Sequence, residues 1–183
     1  NNQLVTKINI PYVLTVYDLI HEKYKIKDKQ FSKLKMIENA SHIICISEET
    51  KKDLLKIYNI DKEKISVIYL GVNKIHNNND IKEDYILYVG DRGRYKNFET
   101  LISAFSESKF LKENFKLVCF GGGKFKENEL KIFESLKIKN NLIFKAGDEF
   151  ELLKTYRRSK LYVSLSLVEG FGLTNLEAMS TGC

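Results

Sequence analysis

The stretch YILYVGDRGRYKNFETLISAFSESKFLKENFKLVCFGGG, residues 85–123, carries the pattern that decides the fold. It opens with the β-rich apolar run YILYV (85–89) and closes with a second run, FKLVCF (115–120), which leads into glycines. Four apolar residues between the two runs recur at the spacing i, i+3, i+4, i+7: Phe98, Leu101, Ile102 and Phe105. This spacing is typical of an amphipathic helix with one apolar face. The stretch therefore predicts a strand, a helix and a second strand.

The same alternation extends over the rest of the chain. Five more β-rich apolar runs predict strands at 12–16, 42–46, 65–70, 141–144 and 161–165. Helical spacing recurs at 48–58, 127–136 and 149–156, and a further helix is predicted to start near Thr174. Several of the strands are apolar at successive positions, which is expected when helices cover both faces of a parallel sheet. The sequence therefore predicts an α/β fold with doubly wound parallel sheets.

One polar stretch without periodicity, GVNKIHNNND (71–80), interrupts this pattern. Such a stretch is typical of a linker or a long loop. We predict a first domain over residues 1–75, a linker over 76–84 and a second domain over 85–183. The chain begins without Met and ends at STGC directly after a predicted helix. We therefore expect it to be a fragment of a longer protein.

Composition narrows the function classes. Of the 183 residues 43% are apolar, which suits a packed core and argues against disorder. The net charge of +6 fits an anionic substrate or a membrane surface, but it equally fits a lysine-rich composition. Basic residues are interleaved with acidic ones, which argues against a nucleic-acid partner. Cys45 and Cys119 lie inside predicted strands, so we expect buried reduced thiols and no structural metal site.

No apolar run approaches the roughly 20 residues of a membrane span, and the N-terminal NNQLVTKINI lacks the apolar core of a signal peptide. We expect a cytoplasmic protein. The lysine-dense segment over 23–29, with Lys33 and Lys35, leaves a peripheral contact with the inner membrane face or a lipid-linked acceptor open. A solvated helix and loop is the favoured explanation of these lysines.

Charged and glycine-rich segments follow two of the predicted strands. Ligands of open α/β sheets bind at the carboxyl ends of strands, where Arg92 and Lys96 can face one anion. The alternative is a solvated loop followed by a helical turn. The run Gly121, Gly122, Gly123, Lys124 matches neither the P-loop nor the GxGxxG spacing, so it is either part of a ligand crevice or a plain tight turn.

The stretch VEGFGLTNLEAM (168–179) combines glycines, two glutamates and a helix start. Gly170 and Gly172 permit a loop whose amides face outward, and a helix N-terminus behind it is suited to bind phosphate. Glu177 is predicted on the first turn of that helix, where its carboxylate can accept hydrogen bonds from hydroxyl groups. A nucleotide sugar offers both phosphate and hydroxyls. The alternative is a capping arrangement without a ligand.

Three blocks together resemble a known family. Glu169-GFGLTNL-Glu177-AMSTG resembles the E-x7-E signature of the retaining GT-B glycosyltransferases of family four, with Thr174 where proline is usual. VGDRGRYKN (89–97) is similar to the family's VG-x-R-x-x-Y-K-N, and ASHIICISEETK (40–51) through IYLGV (68–72) is similar to its passage towards the linker. The resemblance covers nearly all of the chain. It implies two Rossmann-like domains with the active site between them, this chain holding part of the acceptor-side domain and most of the donor-side domain.

The resemblance also implies roles for single residues. Glu169 contacts the transferred sugar, and Arg92 and Lys96 bind the donor diphosphate, so that no metal and no further cofactor is needed. Seven residues would hold the donor: Glu177 at the ribose hydroxyls, the amides of Phe171, Gly172 and Leu173 at sugar or phosphate, and Gly121, Gly122 and Gly147 near the base. The family's usual His-Asp pair is replaced here by Tyr17-Asp18, which leaves open whether His21 serves in its place.

We accordingly expect a retaining hexosyltransferase that moves a sugar from a GDP- or UDP-sugar to a glycan or lipid-linked acceptor in bacterial surface-polysaccharide synthesis. A mannosyltransferase with a GDP donor is the first expectation. Two alternatives remain: a non-catalytic sugar-nucleotide-binding homologue, and another Rossmann-type nucleotide enzyme such as an NAD-dependent epimerase. The absence of GxGxxG argues against the second alternative.

Overall fold

Two separate parallel sheets, with seven strands in all, form in the part of the chain that the computed structural model describes, residues 10–24, 30–73 and 80–183. The chain divides into two compact units. The first contains Asn1–Gly71 together with the short segment Glu169–Gly172. The second contains Val72–Val168 and Leu173–Cys183. Residues 74–79 lie outside the described residues, and the predicted linker over 76–84 starts among them. The predicted domain boundaries therefore stay a prediction.

The first unit holds a three-stranded sheet in the order β1-β2-β3, all parallel. Its strands are β1 (Val13–Val16), β2 (His42–Cys45) and β3 (Ile65–Val67). Its helices are α1 (Ile20–Lys23), α2 (Gln30–Asn39) and α3 (Glu48–Ile57). Buried Ile43 and Cys45 of β2 pack with Leu54 of α3 in the core of this unit. The buried thiol of Cys45 forms no disulfide, and burial raises its pKa to about 11, so it stays a neutral apolar group as predicted.

The second unit holds a four-stranded sheet in the order β6-β5-β4-β7, again all parallel. Its strands are β4 (Glu83–Val89), β5 (Lys116–Phe120), β6 (Leu142–Lys145) and β7 (Ser159–Tyr162). Its helices are α4 (Phe98–Glu107), α5 (Lys109–Asn114), α6 (Glu127–Ser135), α7 (Glu149–Arg158) and α8 (Leu173–Ser180).

Strands β4 and β5 are buried on both faces. Ile86 and Tyr88 of β4 join the core that holds the apolar stripe of α4, while Tyr85 and Leu87 join the core that holds Tyr156 of α7. All four predicted stripe residues of α4 are buried: Phe98, Leu101, Ile102 and Phe105. The prediction of parallel sheets with helices on both faces is therefore confirmed.

Element bounds differ from the predictions at several places. The strand predicted over 161–165 is β7, Ser159–Tyr162, because its pairing with β4 begins at Glu83 opposite Ser159. Strand β4 starts at Glu83, inside the predicted linker, and β3 ends at Val67 rather than at 70. Helix α5 was not predicted, and the bounds of α1 and α2 were not predicted beyond a solvated helix in the lysine-dense segment, since none of the three shows a clear apolar repeat.

Candidate functional site

The order of strands in the second unit reverses at β4. The chain moves from β4 to β5 and β6 on one side, and then crosses to β7 on the other side of β4. Open α/β sheets bind ligands at the carboxyl ends of the strands that flank such a reversal. Lys96 lies in the segment after β4, and Glu177 lies on the helix that follows β7. The topology of this unit therefore places both residues on segments that leave the reversal point.

Arg92 occupies the segment after β4, but its side chain is only 3% exposed. Its guanidinium forms a forked pair with Glu129 of α6, Nε to Oε1 at 2.7 Å and Nη2 to Oε2 at 3.3 Å. It also lies 4.9 Å from the centre of the Phe125 ring. Three further bonds go from Nη1 and Nη2 to backbone carbonyls of the glycine-rich turn: Gly121, Gly123 and Lys124. The structure thus places Arg92 as a clamp between α6 and the turn that follows β5.

The carboxylate of Glu129 balances this buried charge. Burial by itself raises its pKa, but the hydrogen bond and charge of Arg92, together with the backbone N–H of Lys126, hold the pKa below its usual value. Glu129 Oε2 accepts that N–H at 2.7 Å, so one carboxylate serves both the arginine and the first turn of α6. The pair also lines a cavity of about 430 Å³ between α4, α6 and the β4–α4 loop.

Gly122 brings the turn after β5 close to the end of β4. A Cβ at this position would lie 2.7 Å from the carbonyl oxygen of Gly90 and 3.1 Å from the Arg92 guanidinium. Its φ of 67° is in the left-handed region, which glycine adopts without strain. The predicted site glycines 121 and 122 therefore lie against the Arg92 clamp at the carboxyl end of the sheet.

Lys96 ends a single 3₁₀ turn, Arg94–Lys96, just before α4. Its backbone N–H donates to Gly93 O at 2.9 Å, and its ammonium lies 5.4 Å from the centre of the Tyr95 ring. The carbonyl of Tyr95 accepts the N–H of Leu167 at 2.8 Å, so the segment after β4 is tied to the segment after β7. This bond connects the two segments that flank the reversal point.

Glu177 is the fifth residue of α8, which begins at Leu173, so it opens the second turn and not the predicted first one. The helix starts one residue earlier than expected because the left-handed Gly172 (φ 80°) is the last residue before it. The phenol of Tyr156 donates to Glu177 Oε2 at 3.2 Å. Burial raises the pKa of Glu177, the hydrogen bond from Tyr156 lowers it, and the charge of Glu149 raises it, so that it stands above its usual value.

The segment Glu169–Gly172 belongs to the first unit. A Cβ at Gly170 would lie 2.4 Å from Tyr17 O, so only glycine fits against this carbonyl. Ser47, the N-cap residue of α3, donates its hydroxyl to Gly170 O at 2.6 Å. The ring of Phe171 stacks on that of Tyr69 at 5.9 Å between centroids. The segment that carries Glu169, Phe171 and Gly172 therefore belongs to the first unit, and the other predicted site residues belong to the second.

Two predicted residues and the lysine-dense segment lie at the margins of these arrangements. Gly147 follows β6 and directly precedes Asp148, whose side chain caps α7. His21 lies exposed on the short helix α1. Of the lysine-dense segment, residues 25–29 lie outside the described residues, while Lys23 pairs with Asp53 and Lys33 with Glu22. A peripheral membrane contact stays a prediction.

Sequence reasoning missed two residues of these arrangements. Tyr156 lies at an apolar position of α7, and from the sequence it could only be assigned to the core. Ser47 precedes Glu48 in a pattern typical of a helix start, which predicts a cap but not a bond to a residue 123 positions away.

Within the described residues no group of three or more His, Cys, Asp or Glu side chains is arranged to hold a metal ion. The same residues contain no helix with the length and apolar character that a membrane crossing requires.

Comparison with known proteins agrees with this architecture. Residues 72–183 match the family model described as "Glycosyl transferases group 1", and residues 3–74 match "Glycosyltransferase Family 4". The chain is 32% identical to the O-antigen chain mannosyltransferase RfbU of Salmonella typhimurium, over 81% of this chain and 42% of RfbU. It is 34% identical to the uncharacterized glycosyltransferase MJ1178 of Methanocaldococcus jannaschii, over 97% of this chain and 48% of the relative.

A solved structure shares the fold. A TarM variant from S. aureus, in complex with Fondaparinux, alpha-GlcNAc-glycerol and UDP, superposes with a TM-score of 0.68 at 23% identity. The match covers 82% of this chain and 31% of TarM. The chain thus spans less than half the length of the two curated relatives. The fold is that of the GT-B glycosyltransferases, and the family match covers well over half of the sequence. The chain therefore belongs to the glycosyl transferases group 1 family.

Proposed function

We propose that this chain forms the donor-binding part of a glycosyltransferase that moves a sugar from a nucleotide-diphosphate sugar to a glycan or lipid-linked acceptor. The observation that carries the proposal is the reversal of strand order at β4, with Lys96 and Glu177 on the segments that leave it. Family membership and the UDP in the TarM complex support a nucleoside diphosphate at this place.

Lys96 is proposed to pair with the diphosphate that leaves the sugar. Breaking the sugar–phosphate bond puts negative charge on the diphosphate, and a preorganised cation stabilises that charge without a metal ion. The amides of Phe171, Gly172 and Leu173 are proposed to hold sugar or phosphate oxygens, since unpaired N–H groups at a helix start favour anions. Glu169 is proposed to contact the transferred sugar.

Arg92 is proposed to serve the same diphosphate, under a constraint that the structure adds. Its guanidinium already donates to Glu129 and to three carbonyls of the glycine-rich turn. A direct bond to phosphate would therefore use a remaining N–H or exchange one of these carbonyls. In either case Arg92 also fixes the turn that carries Gly121 and Gly122, the glycines proposed to lie near the base.

Glu177 is proposed to accept the ribose hydroxyls. A carboxylate is an acceptor of two hydroxyl protons in the geometry that a vicinal diol offers. The reaction is proposed to retain the anomeric configuration, with the departing phosphate as the base. The name of RfbU, an O-antigen chain mannosyltransferase, supports mannose as the first candidate sugar and surface-polysaccharide synthesis as the setting. A GDP-sugar is the first candidate donor.

The test is calorimetric titration of the protein, as its gene encodes it, with UDP, GDP, ADP and NAD. We expect one nucleoside diphosphate to bind, and Glu177→Ala to weaken that binding by about tenfold, the effect of losing bonds to a charged acceptor. Glu127→Ala, at an exposed position of α6, is the control and should leave binding unchanged.

Three outcomes would contradict the proposal. Unchanged binding in Glu177→Ala would remove the ribose role, and binding of NAD alone would favour another nucleotide enzyme. Binding without turnover of any GDP- or UDP-sugar would favour the non-catalytic homologue. Where transfer is found, the anomeric configuration of the product by NMR tests retention, and inversion would refute that part.

A further inference from the structure

We propose that Tyr156 is a positioning residue that holds the Glu177 carboxylate in the orientation in which it accepts a ribose hydroxyl. The inference rests on the proposed role of Glu177 and extends it to a residue of another helix. Tyr156 lies near the end of α7, and Glu177 lies on α8, 21 positions further along the chain.

The contact between the two side chains is specific. The Tyr156 hydroxyl donates to Oε2 of Glu177 at 3.2 Å. A phenol has a single proton to donate, so it engages one carboxylate oxygen and leaves lone pairs of the other for a ligand hydroxyl. The bond thereby selects one rotation of the carboxylate plane and fixes the direction in which the free oxygen can accept a ribose hydroxyl.

Tyr156 itself is held rigidly. Its side chain is completely buried, at 0% exposure, in the core beside Leu87 and Ala178. The ring of Tyr162 meets it edge-on at 5.5 Å between centroids. The Tyr162 hydroxyl in turn donates to Thr174 Oγ1 at 2.8 Å, in the first turn of α8. Two tyrosines thus attach α8 to its neighbours: Tyr162 of β7 at Thr174, and Tyr156 of α7 at Glu177.

A structural role alone explains the burial of Tyr156 but not the choice of acceptor. A buried tyrosine hydroxyl needs a partner, and a backbone carbonyl is the usual one. The neighbouring Tyr85 shows this arrangement, since its hydroxyl donates at 2.6 Å to Thr155 O on the same helix. Tyr156 instead donates to the one carboxylate of α8, beside the reversal of strand order.

Electrostatics agrees with a positioning role. The pKa of Glu177 is raised by burial, lowered by the Tyr156 bond and raised by Glu149 at the start of α7. Two further ionisable neighbours, Tyr162 and Cys183, act on Tyr156 and raise its pKa. Of the three influences on Glu177, only the Tyr156 hydrogen bond favours the charged carboxylate, and Tyr156→Phe removes it. Glu177 then takes up a proton at higher pH, and the charged acceptor is lost sooner as the pH falls.

The experiment compares Tyr156→Phe with Tyr85→Phe in the protein as its gene encodes it. The control removes the hydroxyl of another buried tyrosine, which bonds Thr155 O on the helix that carries Tyr156 but does not touch Glu177. The probes are the nucleoside diphosphate that binds, its 2′-deoxy and 3′-deoxy forms, and inorganic pyrophosphate. Glu177→Gln is measured beside them.

We expect the unmodified protein to prefer the ribonucleotide over one deoxy form by about tenfold. Tyr156→Phe should reduce that preference to below about threefold, leave pyrophosphate affinity unchanged, and move the acid limb of donor binding to higher pH. Tyr85→Phe should keep the preference and the pH profile. If Tyr156→Phe leaves the ribose preference and the pH profile unchanged while Glu177→Gln loses the preference, the positioning role alone is overturned. An unchanged preference in Glu177→Gln would overturn the ribose assignment and this inference together.

Discussion

The pair of Arg92 and Glu129 is expected to be a main source of stability in the second unit, and Glu129→Gln tests it. The carboxylate uses both oxygens: Oε1 accepts Arg92 Nε, and Oε2 accepts both Arg92 Nη2 and the Lys126 backbone N–H. A glutamine has the same shape but only one acceptor oxygen. Whichever way its amide turns, an NH₂ group then faces a donor of Arg92 or Lys126.

The size of the effect follows from this geometry. At least one charge-assisted hydrogen bond is lost, which costs about 1.5–3 kcal/mol. The Arg92 charge is also left without its counter-charge at 3% exposure, and breaking buried pairs costs about 3–5 kcal/mol. Because Glu129 keeps 16% exposure and water can partly replace it, we expect a loss of about 3 kcal/mol of unfolding free energy at pH 7.

The assay is urea unfolding followed by circular dichroism, with Glu127→Gln as the matched control. Glu127 lies on the same helix, two residues earlier, and forms an exposed pair with Lys131 at 2.8 Å. Such a pair contributes below about 0.5 kcal/mol. A loss in Glu129→Gln no larger than in this control would refute the clamp.

The pH dependence supplies a second, independent check on the same pair. The folded-state pKa of Glu129 is lowered, so its stabilisation is complete above the ordinary glutamate pKa of 4.5 and is lost as the pH falls through the lowered value. The difference between the unmodified protein and Glu129→Gln should therefore narrow from pH 7 towards pH 3. A constant difference over this range would mean that the charge of Glu129 contributes nothing.

Two further substitutions test local geometry. Gly122→Ala should lower the free energy of unfolding by about 2 kcal/mol or more, because its Cβ would lie 2.7 Å from a carbonyl oxygen and its φ is positive. Gly123→Ala is the control: its φ is also positive but the space around its Cβ is open, so it should cost about 1 kcal/mol. Equal losses in urea unfolding would contradict the close approach at Gly122. Ser47→Ala should lower the free energy of unfolding by about 2 kcal/mol, because it removes a helix cap and the bond to Gly170 O. Ser108→Ala removes only a cap and should cost about 1 kcal/mol. Thermal unfolding compares the two variants, and a larger loss in Ser108→Ala would contradict the prediction.

The fold was predictable because its signals are local. Runs such as YILYV are apolar at successive positions, and in the structure Tyr85 and Leu87 face one core while Ile86 and Tyr88 face the other. The bounds of β7 were not predictable, because its start at Ser159 depends on pairing with Glu83, 76 positions earlier. Helix α5 was missed since six residues are too few to show a repeat, and its start relies on the Ser108 cap.

The sequence can nominate residues for the candidate site by their types, but it cannot predict their contacts. The spacing of glycines, cations and glutamates indicates a ligand that carries phosphate and hydroxyl groups. It cannot show that Arg92 meets a carboxylate 37 positions later, or that Glu177 has a buried phenol as its partner. A tyrosine at an apolar position has the same sequence signal whether its hydroxyl meets a backbone carbonyl, as that of Tyr85 on β4 does, or a carboxylate, as that of Tyr156 on α7 does.

These long-range contacts explain how loops can carry a precise site. The segment after β4 is held to the turn after β5 by Arg92, and to the segment after β7 by the bond from Leu167 N–H to Tyr95 O. Helix α8 is held to α7 by Tyr156. Each of these contacts joins neighbours of the strand reversal within the second unit. A loop that is already fixed at its ends and its middle loses little conformational entropy when a ligand binds. A donor that binds at the proposed site would therefore meet groups already in place. Substitutions at these contacts should therefore change donor affinity through geometry, even where the substituted side chain never touches the donor.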